Sequence, residues 1–408
     1  MARTLEVYLH QERVGQLIQD DHGQMVFDYA ESWLTNPQAV ALSHSLPLRP
    51  ERYTRNECRG FFSGILPEAG KREMVARNLG ISARNDFAML EQIGGECAGA
   101  VTFMPEGEPL PARDDHYREL TEQELARILQ ELPHRPLMAG EQGVRLSLAG
   151  AQDKIAVHVS DERISIPLGG APSTHILKPA IERFEGLVFN ESFCMQLAAA
   201  VKIPSARVSV HQVQGIDYLL VARYDRTHDE TGTVHRLHQE DFCQALGFVS
   251  ETKYQAEGGP GLKDCMKLLR AVSSIPVIDL QRLLDAVIFN FLIGNNDAHG
   301  KNFSLLYDGE AIRLAPLYDV LSTAFYPELS RKMAMKIGGE YQAENIFPRH
   351  FETLAEDAGL GKALVRNRVG DLAKLVMASL EELEIKNPVA EKLAELITER
   401  CRTVLIRF

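Results

Sequence analysis

The residues best suited to chemistry lie at 293–302, IGNNDAHGKN. An apolar stretch, LLDAVIFNFLIG, runs straight into Asn295, Asn296, Asp297, Ala298, His299, Gly300, Lys301 and Asn302. Asp297 and Asn302 are five positions apart. On one rigid loop, that spacing lets a carboxylate accept a proton from a hydroxyl while an amide oxygen holds magnesium, the two tasks of phosphoryl transfer. Asp319 follows in LAPLYDVLS, 17 residues after Asn302 and just past a strand-like segment. Magnesium prefers carboxylate and amide oxygen with retained waters, and Asn302 and Asp319 supply that pair. An isolated Asp and Asn at a helix end are more often Asx turns, so the weight falls on what stands upstream.

Upstream, VRLSLAGAQDKIAVHV places the small-residue turn Ala149, Gly150, Ala151 immediately before a strand. Backbone amides in such a turn can cradle phosphates. HILKP sets Lys178 beside Ile176 and Leu177. A lysine there either snorkels from a strand end or pairs with nucleotide phosphates. After YLLVARYD, residues Ala222, Arg223 and Tyr224 read as a hinge whose backbone would bond adenine. His299 reads as a packing and hydrogen-bonding member of its loop, counted with the nucleotide-side residues rather than as a metal ligand. Glu191 either pairs with Lys178 or is a first-turn carboxylate favoured by a helix dipole. Arg223, Asp225 and Arg226 read as a surface or inter-lobe ion network. Gly258, Gly259 and Gly261 have no strand before them and no GK[ST] after, so they read as a turn and not a P-loop.

The elements that must position these residues follow from periodicity. Alternation at Leu5, Val7 and Leu9, a turn at Asp20–Gly23, and Met25, Phe27 and Tyr29 predict strands over 3–30, with a short helix near 30–34. Residues 57–93 carry helical spacings and 98–104 a closing strand. MPEGEPLPARDD (104–115) is a linker by composition, and TEQELARILQEL is an amphipathic helix with a Thr121–Glu124 capping box. Strands are predicted at 155–160, 175–179, 206–213 and 217–225, with a helix at 191–201. Beyond Gln239 the pattern is mostly helical, interrupted by strand-like 303–309 and 312–316.

Composition narrows the function classes. The chain has 408 residues and a formal net charge of −12, which opposes broad unassisted binding to nucleic acid. No run approaches the ~18 apolar residues of a membrane span, and MARTLEVYLHQERVG lacks a signal-peptide core, so a cytoplasmic protein without membrane attachment is expected. The six cysteines are scattered outside metal-ligand spacing.

The motifs LSLAGAQDK, STHILKP, ARYDR, HQEDFCQALG, YQAEGGPG, GNNDAHGKNFSL and LAPLYDVLST resemble those of the HipA family. VGQL, SHSLPLRP, FFSGILPE and ECAGAVTF resemble its amino-terminal domain, and the likeness spans nearly the whole chain. It implies an α+β, bilobal protein-kinase-like fold, with a strand-rich ATP lobe and a helical lobe behind a small β-rich N-terminal domain. The corresponding boundaries are 1–106, a linker and helix at 107–139, 140–225 and 226–408. It implies a Ser/Thr kinase toxin of a toxin–antitoxin pair, using ATP and Mg2+. The target would be an aminoacyl-tRNA synthetase, notably the glutamyl enzyme, and a HipB-like DNA-binding antitoxin would link the chain indirectly to operator DNA. By motif, Ser147 corresponds to the autophosphorylated serine. Leu148, Ala149, Gly150, Ala151, Gln152, Asp153 and Lys154 correspond to the nucleotide loop, and Lys178 to the ATP-contacting lysine. Asp297 corresponds to the catalytic base, and Asn302 and Asp319 to the magnesium ligands. The chain departs from many relatives at Ala222, where they carry an acidic residue, and the family varies at Asn296. The rival reading is a catalytically weak nucleotide-binding co-repressor that grips an antitoxin; a small-molecule kinase is a third.

Overall fold

The computed structural model describes residues 2–111, 116–181, 183–384 and 387–408. They form two compact units. The first comprises Met1–Pro179, His211–Glu251 and Leu306–Asp308; the second comprises Ala180–Val210, Thr252–Leu305 and Gly309–Phe408.

The first unit opens with β1 (Arg3–Leu9), β2 (Glu12–Gln19) and β3 (Met25–Tyr29), joined by β4 (Val101–Pro105) in an antiparallel sheet of order β3-β2-β1-β4. Strand alternation puts Leu5, Val7, Val14, Leu17 and Phe27 at 0% exposure. Each such side chain contributes about 1.5–3 kcal/mol of burial. The helical pattern at 57–93 resolves into three helices, Arg55–Gly64, Ala69–Leu79 and Asp86–Ile93. Pro67 falls in the first break. Gly80 ends the middle helix in the left-handed region, and the Asn85 side chain caps the third by accepting from Ala88 N–H at 3.0 Å.

A second sheet follows. Its strands are β5 (Tyr117–Glu119), β6 (Ile155–Ser160), β7 (Arg163–Pro167), β8 (His175–Pro179), β9 (Val208–Val213) and β10 (Ile216–Ala222). The order is β5-β7-β6-β8-β10-β9, and the last three residues of β9 belong to this unit. The sequence did not announce β7: its hairpin turn is Asp161–Glu162, both at positive φ, without the glycine that usually marks such a turn. The Thr121–Glu124 capping box is present at the start of helix Glu122–Glu131. Of the expected linker, residues 112–115 lie outside the described residues.

The second unit is helical. Its centre is Pro276–Ile293, which is buried on every side from Ala286 onward and packs against Leu262–Val272, Lys362–Glu382 and Pro388–Arg407. A helix apolar on every face belongs in a core. The hairpin Lys332–Ile337 and Glu340–Gln342 interrupts the helices and was not expected. Glu191 is also corrected: its helix starts at Leu187, so the buried Glu191 sits beyond the first turn, where a helix dipole no longer favours it.

Candidate functional site

The loop at 294–302 grows out of the buried helix through a fixed joint. Gly294 has φ +75°, and a Cβ there would meet the Ala324 Cβ at 2.7 Å, so only glycine fits. Its N–H closes back on Phe291, and its carbonyl accepts from Ala324 N–H at 2.9 Å. The next residues are tied down in turn. Asn295 N–H donates to the Asn290 carbonyl at 2.9 Å, and Asn295 Nδ2 to Asn290 Oδ1 at 2.8 Å. Asn296 N–H donates to Thr323 Oγ1 at 2.8 Å, and its carbonyl accepts from Ala334 N–H at 2.7 Å. Asn295, Asn296, His299 and Lys301 are all buried, whereas Asp297 between them is exposed. An Asx turn is present at this helix end, formed by Asn295 and not by Asp297: Asp297 N–H donates to Asn295 Oδ1 at 3.1 Å. It serves to present the Asp297 carboxylate to solvent.

Asn302 and Asp319, expected as a pair, are brought together. Asn302 Nδ2 lies 3.2 Å from Asp319 Oδ2, and Asn302 Oδ1 accepts from His299 N–H at 3.1 Å. Asp319 has φ +57°, a conformation that costs a non-glycine residue about 1 kcal/mol or more and that clusters at functional sites. The flanking residues hold it there. Tyr318 Oη contacts the Lys301 carbonyl at 2.7 Å and Ser304 Oγ at 2.6 Å, and Ser322 N–H donates to the buried Asn190 Oδ1 at 2.8 Å. Among the described residues no group of three or more His, Cys, Asp or Glu forms a metal cage. One carboxylate and one amide oxygen suit magnesium, which keeps waters and takes its remaining ligands from phosphates.

Two residues at this site escaped the sequence reading of roles. Tyr254 Oη donates to Asp297 Oδ1 at 2.9 Å, and its ring meets His299 edge-on at 5.2 Å. The glycine-dense turn positions it: Gly259 N–H donates to the Tyr254 carbonyl at 2.9 Å, and a Cβ on Gly259 would stand 2.1 Å from the Thr252 carbonyl oxygen. Asn190 braces the Asp319 segment from a different helix. Neither contact leaves a local spacing signal, because 43 and 132 positions separate the partners.

The residues expected on the phosphate side lie in the first unit. Ser147 is fully buried, with Oγ donating to the Ile65 carbonyl at 3.0 Å and N–H to the Glu96 carbonyl at 2.9 Å. Leu148 is a core residue, so only its backbone faces the loop. Gly150 has φ +108°, and Lys154 Nζ closes the turn by donating to the Ala149 carbonyl at 2.8 Å. Asp153 pairs with Lys71 at 2.5 Å; Ala151 is exposed and Gln152 partly so. Lys178 is buried on β8 opposite Leu219 of β10.

The hinge expectation needs correcting at Arg223. Its N–H donates to the Thr174 carbonyl at 2.9 Å and is therefore spent. Its guanidinium lies with Arg226, Glu96 and Asp225 in a network inside the first unit, each side chain at most 5% exposed, and not at a surface or between lobes. Glu96, 127 positions from Arg223, is the partner that sequence proximity hid. Burial alone would raise the Glu96 carboxyl, but Arg223, Arg226 and Arg236 bring it down to about 2. Ala222 ends β10 opposite His175, and the Tyr224 hydroxyl bonds Gln239.

A mixed α and β fold carrying an Asp-x4-Asn loop beside a strand-following Asp is of the protein-kinase-like kind. The sequence comparisons give the family. Residues 5–104 match the HipA N-terminal domain and residues 146–380 the HipA-like C-terminal domain. The chain belongs to the HipA family. It is 50% identical, over 91% of its length and 89% of the relative's, to Y4mE of Sinorhizobium fredii, a protein described only as a candidate kinase. It is 29% identical to the serine/threonine-protein kinase toxin HipA of Shewanella oneidensis, over 94% of this chain and 90% of that one. A solved structure of Shewanella oneidensis HipA with HipB and operator DNA superposes with a TM-score of 0.86 at 27% identity, covering 98% of this chain and 97% of that one. Among the described residues no helix is long and apolar enough to cross a membrane.

Proposed function

We propose that the chain is an ATP- and Mg2+-dependent Ser/Thr protein kinase that acts as the toxin of a toxin–antitoxin pair. The observation that carries this reading is the exposed Asp297 on a loop whose other residues are buried or half-buried, together with the 3.2 Å approach of Asn302 to Asp319. Asp297 orients the acceptor hydroxyl and takes its proton. Asn302 and Asp319 hold magnesium, which when bound neutralises charge on the transferring phosphoryl group. Lys178 and the amides of 148–154 position the phosphates, and Ala222 and Tyr224 offer backbone to adenine. An aminoacyl-tRNA synthetase, such as the glutamyl enzyme, is the proposed target, with arrest of translation as the consequence. Likeness to a HipA held with HipB and operator DNA supports a HipB-like antitoxin as partner and a cytoplasmic setting.

Ser147 is the proposed autophosphorylation site. Its hydroxyl is buried against Ile65, so modification requires this segment to leave its present place first. The added charge of about −2 then keeps it from returning and disfavours nucleotide. Intact-mass and peptide analysis after incubation with ATP and Mg2+ tests this. One phosphate on Ser147 is expected, and an unmodified Ser147 under conditions where a substrate is phosphorylated removes the autoregulation. The same HipB–DNA likeness favours a second reading, a co-repressor whose main task is binding antitoxin. Under the kinase reading Asp297→Asn loses phosphorylation and keeps antitoxin binding. Phosphorylation that is absent from wild type as well would favour the co-repressor.

A further inference from the structure

Away from these residues, the first unit contains a cavity of about 90 Å³, room for several waters. Its walls include Arg145, Arg236, Thr102 and the turns at Gly143, Gly169 and Gly170. Both arginines are bonded to neutral groups. Arg236 donates from Nε to the Gly99 carbonyl at 3.0 Å, from Nη1 to the Thr102 hydroxyl at 2.9 Å and from Nη2 to the Val101 carbonyl at 2.8 Å. Arg145 donates from Nη2 to the Glu91 and Phe103 carbonyls at 2.8 and 2.9 Å, and more weakly from Nε to the Gln92 carbonyl and from Nη1 to the Met104 sulfur. A guanidinium has five N–H groups, so Arg236 keeps two uncommitted.

Among the described residues the buried charge does not balance. Arg145, Arg223 and Arg236 act on Cys97 and Arg226 lies with them, while the buried carboxylates there are Glu96 and Asp225, and Glu108 and Glu91 answer Arg145 only in part. Glu96 and Asp225 are already engaged by Arg223 and Arg226. The carbonyl end of helix Asp86–Ile93 offsets about half a charge at Arg145. The rest is left over beside a solvent-reachable cavity. Burial, only partly answered by Glu96 and worsened by Arg226 and Arg223, pulls Arg236 down to about 10. Gly169 and Gly170, at φ +59° and +89°, present that wall as bare backbone.

We propose that this cavity binds a small phosphate-class anion, either inorganic phosphate or the phosphate group of a small ester, through the uncommitted N–H groups of Arg236 with Arg145 beside them. The assignment does not depend on the kinase reading. It is tested by equilibrium dialysis of the full chain against radiolabelled inorganic phosphate and, separately, labelled glycerol 3-phosphate, each with excess ADP to fill any nucleotide site. One anion per chain that ADP does not displace is expected. Arg236→Gln, which removes both uncommitted N–H groups and the charge, should weaken it at least about tenfold. Should Arg236→Gln fail to fold, Gln11 decides, because it is an exposed turn residue on the cavity wall. Gln11→Glu should weaken binding about two- to fivefold and Gln11→Lys should strengthen it. Tighter binding of the ester identifies an organic phosphate as the occupant, and tighter inorganic phosphate identifies the ion. No binding of either, displacement by ADP, or equal affinity in the Gln11 and Arg236 variants would overturn the proposal.

Discussion

The loops at 294–302 and 147–154 are both polar turns suited to phosphate chemistry, yet they are held in opposite ways. The first is anchored by backbone and amide bonds to Asn290, Thr323 and Ala334, and it leaves one side chain, Asp297, in solvent. The second is anchored at its start, where Ser147 and Leu148 are buried, and thereafter by one backbone bond, Glu68 N–H to the Gly150 carbonyl at 3.2 Å, and the lysine contacts Lys154–Ala149 and Lys71–Asp153. A general base works from a fixed position. A loop proposed to meet phosphates and to hold a phosphosite works from contacts that can be exchanged.

Breaking the first loop should therefore have the larger effect. Asp297→Asn should cost about 10²–10⁴-fold in phosphoryl transfer while leaving circular dichroism and melting unchanged, as the side chain is exposed. Next comes the brace: Asn190→Ala removes both side-chain bonds to the Ser322 backbone, at 2.8 and 3.0 Å. Denaturant unfolding should show a loss of about 2–4 kcal/mol, with activity falling in parallel through Asp319. By contrast, Lys154→Met should change stability by at most about 1 kcal/mol and act mainly on nucleotide affinity, read by calorimetry. If Lys154→Met destabilises as much as Asn190→Ala, the contrast between the loops is wrong.

A smaller effect sharpens the base itself. The Tyr254 hydroxyl donates to Asp297, and a donor favours the charged carboxylate. Tyr254→Phe removes that bond and should lower the rate about two- to fivefold without changing the melting temperature. An unchanged rate would make Tyr254 a packing residue only.

Stability should also respond to pH through one buried acid of the first unit. Burial raises Glu240 to about 7, against lowering bonds from Ser43, Tyr307 and His44. A folded pKa above the unfolded one binds protons on folding, so its contribution is full below about 4.5 and is lost as pH rises through 7. Glu240→Gln should flatten the fall in melting temperature over that interval.

Much of this was legible in the sequence. The strands over 3–30, Lys178 on its strand and the Asp297–Asn302–Asp319 spacing all follow from local pattern, because alternation and short separations are written in consecutive residues. What escaped depends on distant partners. β7 hid behind a turn made without glycine, Arg223 read as part of a surface or inter-lobe ion network until Glu96 appeared beside it, and Tyr254 and Asn190 touch the site across long separations. Buried polar networks bind residues that sequence distance keeps apart, and no periodicity marks them.

The central claim is that Asp297, Asn302 and Asp319 transfer a phosphoryl group. Its most direct test is transfer from γ-labelled ATP with Mg2+ to a glutamyl-tRNA synthetase and to the chain itself, comparing wild type with Asp297→Asn at equal folding. Label incorporated by wild type and absent from Asp297→Asn is the predicted result. Equal incorporation by both, or none by a wild type that binds ATP and is offered its cognate partner proteins, would contradict it.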